Sequence, residues 1–233
     1  FCHCVMASNH QYKSTHNKRA AINVTLSRKA SFYLEAQLGH YFYGESRLMN
    51  QRGPSYGASL GYSNDLAKDS FMGENAFSSA SIDVYSVKGY YRSVTTGEFD
   101  NDDSSVTKIK VQMGYHLNPN QDIAFGLGVR ALTNDSTGMK SSTGHYGYLR
   151  EQSYIFIPVK WVYHIPIKTG KVSLGVGSDH FVRGKHTVAK RLDFDQTKGW
   201  NINGDVSYLT GPYMAKFFAS YWDIGESDRL YAI

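Results

Sequence analysis

Gly175-Val176-Gly177-Ser178-Asp179-His180 brings together a serine, a carboxylate and a histidine, the residue types of a nucleophilic hydrolase. On a β-strand successive side chains alternate between faces, so Ser178 and His180 share one face while Asp179 takes the other. A nucleophile and base also need an orienting group and oxyanion donors, and Asp179 cannot orient His180 from the opposite side. The preferred reading is a strand reaching a polar interface, where Ser and His are tolerated. Asp100-Asn101-Asp102-Asp103 offers carboxylates to a hard cation but lacks the Gly and terminal Glu of a calcium loop, so it reads as a solvated acidic loop. The nine histidines are scattered, and His180 and His186, the nearest pair with any partner, fall at a strand end and in a loop. Cys2-His3-Cys4 is half of a metal site with no further cysteine to complete it. No metal and no cofactor is expected.

The remaining ionisable residues follow a different logic, set by the segments that carry them. Gln121 to Leu132 alternates strictly: Ile123, Phe125, Leu127, Val129 and Ala131 on one face, Asp122, Ala124, Gly126, Gly128 and Arg130 on the other. A period of two is a β-strand between an apolar and a polar medium. The split recurs through nine segments. The apolar face collects Leu34, Leu38, Ile109, Val111, Phe125, Leu127, Val129, Ile155, Ile157, Val159, Leu174, Val176 and Phe217. The opposite face collects Glu35, Lys108, Lys110, Arg130, Lys160, Lys171, Asp179, Asp205 and Lys216. Such a pattern predicts a barrel turned inside out, the first set facing lipid and the second lining the lumen. The third segment, Ala80 to Tyr91, is irregular: Ile82 and Val84 share one parity and Tyr85 and Val87 the other, which predicts a bulge or a slipped face. Pro158 interrupts the sixth segment and implies a local break in the ladder.

Composition fits this reading. The chain has 233 residues, 41% of them hydrophobic, and no stretch approaches the ~20 apolar residues of a membrane helix. A barrel strand needs only ~9–11 residues, half of them polar. The net charge of +5 comes without basic runs, so nucleic acid is not an expected partner. Both cysteines fall within the first four residues. Val5-Met6-Ala7-Ser8 has the small-residue spacing of a signal cleavage site, so 1–7 reads as the remnant of a signal peptide and 8–29 as a flexible periplasmic lead-in. The barrel then occupies 30–233.

Connections alternate in length. Tight turns at Leu117 to Asn120, His164 to Gly170 and Leu209 to Pro212 oppose longer polar stretches at Val94 to Ser105, Asn134 to Arg150 and Arg183 to Lys198. Only Asn64 to Ala76 breaks the alternation. Short turns at one end and long loops at the other fit an outer-membrane barrel. Nine strands is an odd count where bacterial barrels use even numbers, so about ten are expected in the complete protein, the last missing after Ile233. The first and ninth strands should then be separated by a gap one strand wide.

The stretch Ala215-Lys216-Phe217-Phe218-Ala219-Ser220-Tyr221-Trp222-Asp223-Ile224-Gly225-Glu226-Ser227-Asp228 resembles the penultimate strand of uncharacterised small porin-like outer-membrane β-barrel proteins of Gram-negative bacteria. In those proteins a Tyr-Trp-Asp-Ile-x-x-Ser stretch precedes a loop and one closing strand. The resemblance implies an outer-membrane location and brings no activity with it. The expected protein is an all-β, antiparallel up-and-down transmembrane barrel, structural or porin-like, not an enzyme. Its partners would be outer-membrane lipids and the barrel assembly machinery, and a monomer is expected. The basic excess of the lumen set would bias a channel toward small anionic solutes; interlocked as ion pairs, the same residues would plug it instead. Two alternatives differ in class. An outer-membrane lipid hydrolase would use Ser178 and His180 on the outward face. A soluble secreted lipid-binding barrel would turn its apolar faces inward.

Overall fold

The computed structural model describes residues 31–45, 48–67, 70–73, 75–190, 192–210 and 213–225. The cysteine-bearing N-terminus, the lead-in and residues 226–233 lie outside the described residues. Ten strands follow in chain order: β1 (Ser31–Glu45), β2 (Met49–Asp65), β3 (Ala76–Ser93), β4 (Gly97–Asn118), β5 (Gln121–Asp135), β6 (Leu149–Ile167), β7 (Gly170–Val188), β8 (Leu192–Gln196), β9 (Gly199–Thr210) and β10 (Tyr213–Ile224). Nine of them close into a barrel, and the short β8 lies outside it, paired only with the far end of β7. Lys185 holds that hairpin together: its ammonium meets the Asp193 carboxylate at 2.5 Å, and Thr187 donates to the same carboxylate at 2.7 Å. These bonds, Lys185 first, keep the Asp193 carboxyl below its usual range.

The expected gap between the first and last barrel strands is absent. β1 and β10 pair directly from Ala36↔Ala215 to Glu45↔Ile224, without a break in register. The pairing is parallel, whereas the other barrel ladders are antiparallel. Parity dictates this: with nine alternating strands, the first and last run in the same direction. Evenly spaced, slanted parallel bonds are slightly less stable than antiparallel ones.

One further expectation is resolved and another corrected. Of the bulge or slipped face expected in the third segment, the ladder shows a bulge, and β3 itself does not slip. From Ile82 to Tyr91 its odd positions are turned inward without interruption, including Asp83, Tyr85, Val87 and Tyr91. The irregularity lies in β4, where Asn101 takes a left-handed φ of 59° and the register with β3 jumps between Gly89 and Tyr91. Two of the three stretches read as long loops, Val94 to Ser105 and Arg183 to Lys198, are largely strand. β3 and β4 extend as a tall hairpin to Ser93 and Gly97, so the acidic run 100–103 sits within β4. Among the described residues, 136–148 is the longest irregular stretch at that end, carrying isolated bridges.

Pro158 now has a physical account. The β5–β6 ladder runs to Phe125↔Val159 and resumes at Gly128↔Phe156, so the missing N–H coincides with a gap in pairing. Pro54 in β2 sits in a similar gap in the ladder with β3.

The seam can be tested by cross-linking. With Cys2 and Cys4 replaced by Ser, Ala36→Cys combined with Ala215→Cys should oxidise to an intramolecular disulfide, since paired strands place Cα atoms within bridging range. Ala36→Cys with Ala58→Cys is the control across an established antiparallel pair. A disulfide in the control but not in the seam pair would show that β1 and β10 are not neighbours.

Candidate functional site

Every residue in a closed sheet faces outward or into the lumen, and here the two populations separate. Leu34, Leu38, Ile109, Val111, Phe125, Leu127, Val129, Ile155, Ile157, Val159, Leu174, Val176 and Phe217 all point outward, with exposures of 39–61%. Glu35, Arg130 and Asp179 are buried inside, and Lys108, Lys110, Lys160, Asp205 and Lys216 join them in ion pairs within the barrel. Lys171 is half-buried near the short-turn end of β7.

The lumen is stacked in layers. In the half nearer the short turns, four lysines meet four carboxylates: Lys108–Asp179 at 2.6 Å, Lys160–Asp205 at 2.6 Å, Lys216–Glu35 at 3.0 Å and Lys110–Asp83 at 3.3 Å. Lys108 and Asp179 join β4 to β7 across the lumen. Gln37 and Ser59 donate to the same Asp83 oxygen, completing its shell. These groups enclose a cavity of about 70 Å³, room for a few waters. The expected basic excess is therefore corrected. Asp83 had been hidden by the irregular reading of β3, and each of these lysines faces a carboxylate.

The next layer is dry. Tyr41, Tyr43, Tyr85, Val87, Val106, Leu132, Tyr154, Phe156, Phe181, Trp222 and Ile224 form one buried cluster across the barrel. Arg130 enters it. Its guanidinium stands 4.8 Å from the Trp222 ring centre and 5.2 Å from that of Tyr154, and its Nη2 donates to the Tyr41 hydroxyl. Its Nε and Nη1 find no hydrogen-bond partner, so ring faces replace the missing acceptors. Lys108 reaches up from the ionic layer, its Nζ 4.9 Å from the Phe156 ring centre. Glycines make room for the large rings: a Cβ on Gly128 would collide with Phe156, its cross-strand partner, and one on Gly184 with Tyr154.

A polar lid covers the rings. Asp102, read from sequence as part of a solvated loop, is fully buried. It accepts from Gln51 at 2.9 Å, Asn134 at 2.8 Å and Ser136 at 2.5 Å, and pairs with Arg150 at 3.4 Å. Beside it Glu45 accepts from Tyr43 at 2.7 Å, with Gln152 and Gln196 at 3.4 Å. At the opposite, short-turn mouth, Asp122 bridges His116 at 2.7 Å and His164 at 2.9 Å.

Ser178 and His180 do point outward together, but Ser178 donates to the Asn201 carbonyl at 2.9 Å and Asp179 is held inside by Lys108. The structure does not assemble these three into a relay. Among the described residues no group of three or more His, Cys, Asp or Glu is placed to hold a metal ion.

The ionic layer predicts unequal single and double mutants. Lys108→Met leaves Asp179 as an unpaired buried carboxylate and should destabilise the barrel by ~3–5 kcal/mol. Lys108→Met with Asp179→Leu should recover most of that loss. Urea unfolding in detergent micelles measures both, and equal destabilisation by single and double mutants would contradict the pairing. Compared with known proteins, the chain matches no family model, no curated sequence and no solved structure, so the geometry alone carries the functional reading.

Proposed function

We propose that this protein is an integral outer-membrane β-barrel of a Gram-negative bacterium, with its lumen closed and its role structural or centred on its long-hairpin end. One observation supports this above the rest: the outward face carries a belt of large apolar side chains that no other described part of the chain covers. A water-soluble monomer rarely exposes contiguous apolar patches beyond a few hundred Å². Aromatic pairs frame the belt. Phe32–Tyr62 and Trp161–Tyr163 lie toward the short-turn end, and Trp200–Tyr221 toward the other, the arrangement of interfacial girdles. The short-turn end then faces the periplasm and the long hairpins face outward from the cell.

The soluble lipid-binding alternative requires apolar side chains inside and a polar exterior, the reverse of the observed arrangement. A porin-like role requires a continuous wet path, whereas the aromatic layer and the Asp102 lid fill the upper lumen. The neutralised ionic layer also removes the basis for anion selectivity. The reading is therefore a closed barrel in contact with lipid, a monomer inserted by the barrel assembly machinery.

Leu127 lies in the middle of the β5 belt. Leu127→Arg should cost ~2–4 kcal/mol when folding is measured into lipid vesicles. Wild-type protein should need detergent or lipid to stay folded. Cooperative folding of the wild type in plain buffer, with Leu127→Arg harmless, would overturn the proposal.

A further inference from the structure

We propose that the short-turn mouth of the lumen carries a nucleophile relay, Ser173–His164–Asp122, acting on small carboxylic esters. Ser173 and His164 are cross-strand partners on β7 and β6, and the Ser173 Oγ lies 2.8 Å from His164 Nδ1. The other ring nitrogen, Nε2, lies 2.9 Å from Asp122 Oδ2 on β5. A carboxylate only accepts, so Nε2 carries the proton and the Nδ1 lone pair is left to take the one from Ser173. This is the serine–base–carboxylate chain of acyl transfer, with the two ring nitrogens exchanged relative to the serine-protease arrangement. Asp122 is itself fixed: His116 Nδ1 meets its other oxygen at 2.7 Å, and His116 Nε2 is 3.3 Å from Asp65 at the end of β2.

The surroundings suit a small substrate. Above Ser173 the next inward positions of β7 are Gly175 and Gly177, which bring no side chains of their own. The Lys160 side chain lies over Gly175, and together with Asp205 it lines the wet cavity. Its ammonium is held by Asp205 at 2.6 Å, and in the proposed reaction it would turn toward the oxygen that gains charge above Ser173. Ser173 is itself buried, with 8% exposure, which limits the acyl group to a short one.

In the reaction the Ser173 Oγ bonds to the ester carbonyl carbon while its proton passes to His164 Nδ1. Collapse of the tetrahedral adduct breaks the ester C–O bond, and the departing alkoxide takes that proton and leaves as the alcohol. Water then attacks the acyl-serine, giving a proton to His164 as it does so. Cleavage of the acyl–Oγ bond returns the proton to Ser173 and releases the carboxylic acid. Asp122 accepts from Nε2 throughout. The relay needs no membrane and stands or falls independently of the location proposed above.

The same hydrogen bonds also tie β5, β6 and β7 together, so a stability measurement cannot distinguish the two roles, and the test is chemical. Folded full-length protein in detergent is treated with a small fluorophosphonate, and the adduct is mapped by mass spectrometry. 4-Nitrophenyl acetate hydrolysis is followed in parallel. The expected result is an adduct on Ser173, lost in Ser173→Ala, and hydrolysis slowed at least ~100-fold in His164→Gln. Ser178→Ala should change neither. Adduct mapping on the wild type decides the question even if Ser173→Ala fails to fold. A folded wild type with no adduct at Ser173, or hydrolysis undiminished in a folded Ser173→Ala, would overturn the proposal.

Discussion

Closing a sheet of nine strands leaves each side chain only two places to go, and the inner one is narrow. This constraint governs the rest of the molecule. With alternate residues directed inward, the lumen must take what the outward face excludes, including the charges of the four Lys–carboxylate pairs. Charges in so confined a space need partners, because an unpaired buried charge is strongly destabilising. The Lys–Asp and Lys–Glu pairs of the lower lumen answer that demand. The upper half answers it differently: large rings fill the space, lie over glycines of the neighbouring strands, and hold Arg130 by their faces. Filling, rather than charge balance alone, closes the barrel.

The odd strand count has its own consequence. An even barrel can be antiparallel throughout, whereas this one has a parallel seam between β1 and β10. The seam is stitched from inside. Lys216 on β10 pairs with Glu35 on β1, and the Phe218 ring lies against Gly39, its seam partner. Side chains in the lumen thus reinforce the ladder whose backbone geometry is least favourable.

The sequence made much of the fold legible, and the reason is physical. Where the outer medium is uniformly apolar, a period of two stands out, as along β5, where the parity of every residue from Phe125 to Ala131 matches the structure. The signal fails where both faces carry apolar residues. On β3, Tyr85 and Val87 are as apolar as Ile82 and Val84 but belong to the ring layer inside, so parity alone cannot separate a bulge from a slipped face there. Asp83 was lost from the lumen set for the same reason. The tall hairpins escape the pattern for the converse reason: above the belt the outward face carries charges such as Lys88 and Arg92, and the apolar–polar alternation disappears. Asp102 and Glu45 were hidden there. Ser173, His164 and Asp122 come from three strands, and no spacing along the chain could have brought them together. Glycine opposite an aromatic, as in Gly128 opposite Phe156, is the one sequence signal that would have pointed to a filled lumen.

The central claim is that the outward face of this barrel meets lipid and the inward face does not. Nitroxide labels placed singly from Asp122 to Ala131 in protein reconstituted into vesicles test it most directly. Collision with lipid-soluble oxygen should rise and fall with a period of two along β5, highest at Ile123, Phe125, Leu127, Val129 and Ala131. Maxima at Ala124, Gly126, Gly128 and Arg130 instead, or no alternation in the vesicle-bound protein, would contradict the account.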